Sequence, residues 1–473
     1  MIKNSIRKTS FSLSILIFCA LLLLGILGSV YSVQANGRSS PSPNDWHTTT
    51  GPVPPENVGE SLIIAQSEAV LLNVPSYVWR HGCVPTSAGM LLGYWDEQGF
   101  ENLIAGDAST QTSAVNETIA STEHYNDYSL PNDSSTPNIL PDKSENPVGD
   151  EHTNNSLGDY IYTSFSIYDL RYGWSYFSPV PDALKAYISS VEPAYYTNST
   201  NVYGIPAWED YKAEIDAGRP VLLGVDTTGS GQSDHMIIGI GYSDERSGYT
   251  GTPMYASYDT WGHTVRWQEY APVASGQAWG IAAATYFSIS SFADTTSDYW
   301  AWKYIESIYN AGITKGCGGG NYCPSASVTR AQMAVFLLKA KHGDSYTPPA
   351  AIGVFGDVLT NYWAAAWIEQ LATEGITGGC GGGNYCPDSP VNRDQMAVFL
   401  LKAKYGNTYS PPDAAGNFGD VSPEYWAADW IEQLAAEGIT GGCGGDNYCP
   451  ASAVNRDQMA VFLVKTFGLS ILP

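Results

Sequence analysis

Three copies of one pattern, repeated every 63 residues, limit what the C-terminal part of the chain can fold into. Phe292, Phe355 and Phe418 open the copies as Phe-x-Asp. In each copy an amphipathic helix starts at a tryptophan and ends at a Gly-Ile-Thr turn. A second helix then starts from a Thr or Asn with a Gln three positions on, which is a capping-box pattern. A unit this short cannot bury its own core, so the sequence predicts that the three copies pack on one another.

Six of the eight cysteines fall inside the repeats as three pairs, Cys317/Cys323, Cys380/Cys386 and Cys443/Cys449. Five residues separate the cysteines of each pair, and no histidine recurs with them. Zinc-ligand pairs usually sit about two to four residues apart, so zinc is the less favoured alternative. In an exported chain the spacing predicts three local disulfides across glycine-rich loops, and we expect no metal and no organic cofactor.

The N-terminus is typical of an export signal over residues 1–35. A basic start at Lys3, Arg7 and Lys8 precedes an apolar run and a small-residue cleavage site that ends at Ala35. Because the apolar run is long for a signal peptide, an uncleaved membrane anchor is the alternative. Residues 36–65 are rich in Ser, Pro, Gly and Asn and are interpreted as a flexible linker.

The formal net charge of −25 argues against nucleic acid and anionic membranes as partners. We therefore expect a secreted or cell-surface protein that binds no nucleic acid and has no membrane contact once its signal is removed.

Cys83 is the one cysteine left over after the signal segment and the three pairs are set aside. An unpaired cysteine in an exported protein indicates a reactive thiol or an intermolecular bridge. Cys83 precedes a predicted helix, whose N-terminus favours the thiolate and offers backbone N–H groups to an oxyanion. A buried structural cysteine is the alternative interpretation.

A cysteine nucleophile needs a base and a group that orients the base. His235 stands at the mouth of a predicted core strand, and Asp259 follows a later strand. The carboxylate of Asp259 is predicted to accept from the imidazole, with Asp234 and His263 as competing neighbours. The alternatives are a structural histidine and a turn-forming aspartate. The polar insertion 101–159 is either a substrate-binding lid or a plain surface loop.

Residues 66–290 resemble a papain-like cysteine peptidase of the bacteriocin-processing type, family thirty-nine. The resemblance lies in Gly82–Trp95, Asp234–Tyr242 and Asp259-Thr-Trp-Gly, in that order. It implies an α+β papain-like fold with Cys83 as nucleophile, His235 as general base and acid, and Asp259 as orienting residue.

The family carries a glutamine just before the cysteine that donates to the oxyanion, and this sequence has none there. The backbone N–H of Cys83, helped by Tyr77 or Trp79, is predicted to take its place. Losing such a donor costs roughly 100-fold or more in rate.

The repeats resemble S-layer homology domains over residues 291–345, 354–408 and 417–470, matching in Val328–Gln332, Val391–Gln395 and Val454–Gln458. The resemblance implies an all-α pseudo-threefold trimer that binds cell-wall polysaccharide. Arginines would hold the ligand's carboxylate and tryptophans would line the grooves, unless the tryptophans are core anchors. The residues concerned are Arg330, Arg393, Arg456, Trp300, Trp363 and Trp426.

Together these features predict an exported, envelope-anchored cysteine peptidase that hydrolyses peptide bonds in a peptide or protein substrate through a Cys83 thioester. One alternative is a catalytically inactive binding or structural protein of the cell surface. Another is an amidase or transpeptidase that uses the same three residues.

Overall fold

The structure, a computed structural model, describes residues 45–62, 68–128, 143, 151–245 and 251–472. The predicted signal segment, its anchor alternative and both ends of the predicted linker lie outside these ranges. None of the helices within them combines the length and apolar character needed to span a bilayer.

An antiparallel sheet of seven strands forms the centre of the first domain, in the order β2-β7-β3-β4-β5-β6, with β1 paired to β4. The strands are Ala69–Val70 (β1), Tyr196–Tyr203 (β2), Val221–Asp226 (β3), His235–Ser243 (β4), Met254–Tyr258 (β5), Arg266–Glu269 (β6) and Gly280–Ser290 (β7). All of β3 and nearly all of β4 are buried, because helices cover both faces of the sheet. The pairing of β3 with β4 places His235 opposite Val225, at the very start of a rigid strand.

Six α-helices surround this sheet within the described ranges, with a short 3-10 turn at Ser166–Tyr168. They are Cys83–Glu97 (α1), Ser113–Ile119 (α2), Thr122–Tyr128 (α3), Leu157–Tyr160 (α4), Val180–Val191 (α5) and Trp208–Asp216 (α6). Every residue of α1 from Cys83 to Trp95 is buried, since this helix packs on β4 on one side and on α2 on another. Alternate residues of β3 therefore face two cores, Leu222 towards α1 and Leu223 towards α6.

Six more helices come from the three repeats, two per repeat. They are Trp302–Asn310 (α7), Arg330–His342 (α8), Ala365–Thr373 (α9), Arg393–Tyr405 (α10), Ala428–Ala436 (α11) and Arg456–Phe467 (α12). The first helix of each repeat begins two residues after the predicted tryptophan. All three repeats contribute to one buried cluster, as their length requires. Backbone bonds link them in a closed cycle, each 2.9 Å long, in which Val328 N donates to Val454 O, Val454 N to Val391 O and Val391 N to Val328 O.

The three predicted cysteine pairs are disulfide-bonded, with the Cα atoms of each pair 6.0 Å apart. The aspartate of the Phe-x-Asp motif holds the same loop from outside. In the first repeat, the carboxylate of Asp294 accepts from the backbone N–H groups of Tyr322 and Cys323, both at 2.7 Å. The motif and the cysteines therefore serve one purpose, which is to fix a loop of glycines that has little side-chain packing of its own.

The first repeat is joined directly to the first domain. Trp302, at the start of α7, lies in the core of that domain, 6.1 Å from the Trp95 ring and 6.5 Å from the Phe100 ring. The buried carboxylate of Glu306 accepts from the Ser290 hydroxyl and from the Ser291 N–H, both at 3.0 Å. The end of β7 is therefore held by the first repeat.

Candidate active site

Cys83 is the first residue of α1 and is fully buried. It is the free cysteine of the described residues. The chain turns sharply just before it, where His81 adopts a left-handed φ of 59°. Thr86, one turn into the helix, donates its hydroxyl to Gly82 O at 2.6 Å and accepts from Arg80 N at 2.9 Å. The helix thereby holds the loop that presents the sulfur.

His235 lies against the same spot and is also fully buried. Its Nε2 is 2.6 Å from the backbone oxygen of Asp259, and its ring stacks on Trp261 with centroids 3.9 Å apart. Because a carbonyl only accepts, Nε2 carries the proton and Nδ1 is free to accept. Nδ1 is 2.5 Å from Thr50 Oγ1, which lies 3.8 Å from Cys83 Sγ. The structure thus brings Cys83 and His235 to opposite sides of one hydroxyl group.

Asp259 contacts His235 in a different way from the prediction. Its carboxylate accepts from Arg266 Nε at 3.1 Å and Nη2 at 2.9 Å, and from Trp261 N at 3.0 Å, so only its backbone oxygen reaches the imidazole. The predicted carboxylate–imidazole bond is therefore wrong. Its physical reason is competition, because Arg266 on the neighbouring strand β6 directs two charged N–H donors at one carboxylate oxygen, Oδ2.

Neither Asp234 nor His263, the two alternatives to Asp259, orients the His235 ring. The Asp234 carboxylate accepts from the backbone and hydroxyl of Thr227, at 3.0 and 2.9 Å. His263 is exposed and pairs through Nδ1 with the Ser76 hydroxyl at 2.9 Å.

Burial is the main influence on the protonation of the Cys83 thiol and the His235 imidazole. Burial raises the pKa of the Cys83 thiol, and hydrogen bonds from Thr48 and from the Met236 backbone offset only part of this rise. Burial also lowers the pKa of His235 to about 4. Burial therefore opposes the thiolate that the helix N-terminus was expected to favour. Both shifts favour the neutral thiol and the neutral imidazole.

Of the predicted oxyanion donors, Tyr77 is excluded. Its side chain is fully buried and its hydroxyl donates to the backbone oxygen of Ala108. Gly93 allows this packing, because a Cβ there would lie 2.5 Å from the Tyr77 hydroxyl. The Trp79 indole N–H, by contrast, is buried with no hydrogen-bond partner among the described residues. Cys83 N–H belongs to the first helical turn, where backbone donors have no partner inside the helix.

A glutamine does support this region, but it comes from elsewhere in the chain. Gln111 accepts from Val78 N at 2.6 Å and donates to Val78 O at 2.8 Å, and it also donates to Asn116. It therefore anchors the segment before Cys83 through its backbone. No local sequence signal marks this role, since it depends on how the insertion folds back.

Residues 45–62, which we call the strap, correct the prediction of a flexible linker. Thr48 and Thr50 are buried, and the strap bonds the first domain through its backbone, as in the 2.9 Å bond from Thr48 N to Ser175 O. Composition favoured a tether because Ser, Pro and Gly are frequent here. The strap packs nevertheless, because its backbone polar groups find partners on the domain.

Part of the insertion 101–159 is ordered around a histidine cluster rather than being irregular. His124 Nδ1 is 2.5 Å and His152 Nε2 is 3.2 Å from the Asp159 carboxylate, and His152 Nδ1 is 2.7 Å from Asp127. Burial alone would lower the pKa of His152, but the two carboxylates outweigh it and raise the pKa to about 9. The His81 ring lies 4.7 Å from His124, so the cluster supports the loop before Cys83. Residues 129–142 and 144–150 of the insertion lie outside the described ranges.

In the repeats, the predicted wall-binding residues fall into two groups. Trp300, Trp363 and Trp426 are 60%, 61% and 59% exposed, so the alternative that they are core anchors is wrong.

The three arginines are buried instead. Arg330, Arg393 and Arg456 are each 4% exposed. Their Nε atoms donate across repeat boundaries to the backbone oxygens of three tyrosines, at 2.7, 2.8 and 2.7 Å in the order Tyr385, Tyr448 and Tyr322. Each guanidinium also lies over the ring of the same tyrosine, 4.7–4.8 Å from its centroid. This corrects the prediction that the arginines hold a ligand's carboxylate, because they instead bond one repeat to the next.

Comparison with known proteins matches both parts of the chain. Residues 71–280 match the model of the Peptidase_C39 like family. Residues 291–334, 354–397 and 417–460 match the S-layer homology domain.

Several curated proteins are similar over part of their length. A cellulosome-anchoring protein of Acetivibrio thermocellus is 26% identical over 157 residues, covering 33% of this chain and 35% of that protein. The S-layer protein EA1 of Bacillus anthracis is 26% identical over 189 residues, covering 40% of this chain and 21% of its own. A Bacillus anthracis protein named as an uncharacterized cell wall amidase is 26% identical over 170 residues, covering 35% of this chain and 30% of that protein. The chain thus spans about a third or less of the length of these relatives.

Both resemblances noted in the sequence are confirmed by the family matches. The S-layer homology domains indicate a cell-surface protein associated with the cell wall. The chain contains a Peptidase_C39-like domain followed by three S-layer homology domains.

Proposed function

We propose that the protein is a cysteine peptidase held at the cell surface, which hydrolyses peptide bonds through a thioester on Cys83. The observation that carries the proposal is the meeting of a free thiol at a helix N-terminus with the unprotonated Nδ1 of His235 across one hydroxyl group. A nucleophile and a base whose imidazole ring is held in position are the parts that acyl transfer needs.

In the proposed reaction, His235 Nδ1 takes the thiol proton as the sulfur attacks the peptide carbonyl. The carbon–sulfur bond forms, and the carbonyl electron pair moves to its oxygen, which the N–H of Cys83 and the Trp79 indole stabilise. Collapse breaks the carbon–nitrogen bond, and the amine leaves with the proton from Nδ1. Water then attacks the thioester and gives a proton to Nδ1. The carbon–sulfur bond breaks, the acid is released, and the sulfur takes the proton back from Nδ1 to restore the thiol. Throughout, the Nε2–H bond to Asp259 O keeps the ring in position.

The fold proposed for the first domain is the papain-like α+β fold, with the nucleophile on a buried helix and the base on the facing sheet. For the repeats we propose the pseudo-threefold arrangement. The cycle of backbone bonds through Val328, Val391 and Val454 supports it, and so does the matching cycle of arginine contacts.

The exposed tryptophans are the proposed contacts with cell-wall polysaccharide. An aromatic face that is more than half exposed has no role in the core, and one such face recurs in each repeat. The test is co-sedimentation of the full chain with purified cell walls. Replacing Trp300, Trp363 and Trp426 together by Ala is expected to abolish pelleting. Tyr203→Ala, which removes a 57% exposed aromatic from the other domain, is expected to leave it unchanged.

Hydrolysis is tested by incubating the full chain with a peptide library and identifying the products by mass spectrometry. Activity is expected with the native sequence once residues 45–62, which cover Cys83 and His235, have been cut and displaced, and not with Cys83→Ala treated in the same way. Equal cleavage by both proteins would refute the proposal. Thr86→Ser, a conservative change one turn along α1 that keeps the hydroxyl, is the matched control and should retain activity.

An amidase acting on wall peptides is the second candidate, favoured by the relative that is named as a cell wall amidase. The amidase is distinguished from the peptidase by incubating the protein with purified peptidoglycan as well as with the peptide library. Added amines distinguish transfer from hydrolysis, because a transpeptidase would join the amine to the new carbonyl end.

A further inference from the structure

We propose that the strap is a built-in occupant of the substrate cleft, seated across Cys83 and His235 as an extended peptide would be, and that the site is latent until the strap is displaced. The inference rests on the proposed peptidase function and names its regulation. It is argued from the backbone contacts of the strap, from its position between the reactive atoms and from its two anchors.

The strap lies between two walls of the first domain and bonds both through its main chain. On one side His47 pairs antiparallel with Tyr176, with Phe177 N donating to Trp46 O at 2.8 Å. On the other side the backbone N–H groups of Thr49 and Thr50 both donate to Asp234 O, at 2.9 and 3.1 Å. Main-chain pairing of this kind is how extended peptides add to a protein surface. A substrate would need the same backbone partners.

The Thr50 hydroxyl blocks the chemistry directly. It lies 2.5 Å from His235 Nδ1 and 3.8 Å from Cys83 Sγ. A hydroxyl bonded to Nδ1 occupies the lone pair that would otherwise receive the thiol proton. A cavity beside His235, lined also by Thr48 and Val84, has a volume of only about 10 Å³, roughly one water molecule. The Cys83 side chain itself is fully buried, so a substrate carbonyl does not reach the sulfur while the strap is seated.

A second anchor holds the far end of the strap. Gly59 O accepts from Arg266 Nη1 at 3.0 Å and from Trp279 Nε1 at 2.8 Å, and Leu62 N donates to Trp267 O at 2.7 Å. The same Arg266 binds the Asp259 carboxylate, whose residue orients His235. One guanidinium, that of Arg266, therefore holds both the strap and the residue that orients His235.

Between the two anchors the strap is open to solvent, with Val53 74% exposed. A cut in this loop separates the inner segment, which covers the reactive pair, from the outer anchor on β6. The inner segment then keeps its bonds to the two walls of the cleft but loses its covalent tether to the outer anchor. Burial of Cys83 and His235 falls when it leaves, which favours transfer of the thiol proton to the imidazole.

The test uses the full chain with the recognition sequence of a site-specific protease inserted after Val53. A matched control carries the same insertion after Pro349, which is exposed and lies between the first two repeats. Each protein is cut and gel-filtered, and loss of the N-terminal fragment is checked by mass spectrometry. Alkylation of Cys83 by iodoacetamide is then timed on the peptide that contains it. Cutting the strap is expected to raise the rate by at least about tenfold, because reaction must wait for local opening while the strap is seated. Cutting the control should not change it.

An engineered disulfide serves as a control in case the N-terminal fragment stays bound after cutting, because it holds the strap in the cleft until it is reduced. His47→Cys with Tyr176→Cys joins cross-strand partners, whose spacing suits a disulfide. In the cut, locked protein, alkylation of Cys83 is expected to stay slow and to rise on reduction. The cut chain without the lock, treated with the same reductant, controls for the native disulfides.

Equal alkylation rates in the locked and reduced forms, or an unchanged rate after the fragment has gone, would overturn the role of the strap. Accelerated alkylation without hydrolysis of the peptide library would uphold the strap and refute the proposed peptidase. The two proposals therefore fail separately.

Discussion

Replacing Trp302 by alanine tests whether the first repeat is part of the first domain's core or merely linked to it. The Trp302 side chain is 2% exposed and lies between Trp95 of α1 and Phe100. The equivalent positions of the other repeats are already alanine, at Ala365 and Ala428. Alanine is therefore acceptable to the helix and to the packing of the repeats, and any loss belongs to the contact with the first domain.

Removing a buried tryptophan costs about 3–5 kcal/mol, because the transfer free energy is lost and a cavity remains. Aromatic ring pairs contribute about 0.5–1.5 kcal/mol each beyond buried area, and Trp302 makes two with the first domain. A domain is stable by only about 5–15 kcal/mol, so the change should take a large share of the stability of the first domain.

Hydrogen exchange followed by mass spectrometry measures this effect separately in each part of the chain. Trp302→Ala is expected to lower protection in α1 by about 3–5 kcal/mol while α10 and α12 change far less. Trp300→Ala is the matched control, since that side chain is 60% exposed and its loss should cost less than about 1 kcal/mol. Equal, small effects of the two substitutions in α1 would refute the reasoning and leave the repeats as a separable tether.

Three further outcomes are expected. Asp259→Asn keeps the backbone carbonyl that orients His235, so hydrolysis by the strap-released protein should fall by less than about tenfold, against a loss nearer 10⁴ if the carboxylate did the orienting. The pKa of His152 is raised to about 9, so the stability it confers is complete below the unfolded value near 6.5 and is lost as pH rises through 9. Thermal unfolding should therefore shift downwards between pH 7 and 9.5 in the native protein and much less in His152→Gln. Arg330→Ala leaves a buried carbonyl without its donor, and should lower the stability of the repeats by about 1–3 kcal/mol in urea unfolding, whereas Trp363→Ala should weaken wall binding without that loss.

The parts of this protein that were predictable from sequence are those determined by neighbours along the chain. The 63-residue period predicted the three-unit helical domain, and short loops between paired cysteines predicted the disulfides. Two of the three predicted capping boxes form, at Thr329 and Asn455. Similarly, Cys83 before an apolar helix and His235 before an apolar strand were recognisable one at a time. Their roles as nucleophile and base remain predictions, although the structure brings them together.

Only the tertiary structure decided which partners these residues have. The carboxylate of Asp259 was expected to accept a hydrogen bond from the imidazole, but it binds Arg266 on the neighbouring strand instead. The thiol of Cys83 had a helix dipole in its favour, but burial sets the pKa in the opposite direction. The strap had the composition of a tether, but its backbone finds hydrogen-bond partners on both walls of the cleft. Charge pairing, desolvation and main-chain pairing all depend on distances between residues far apart in sequence, and these distances exist only in the folded chain.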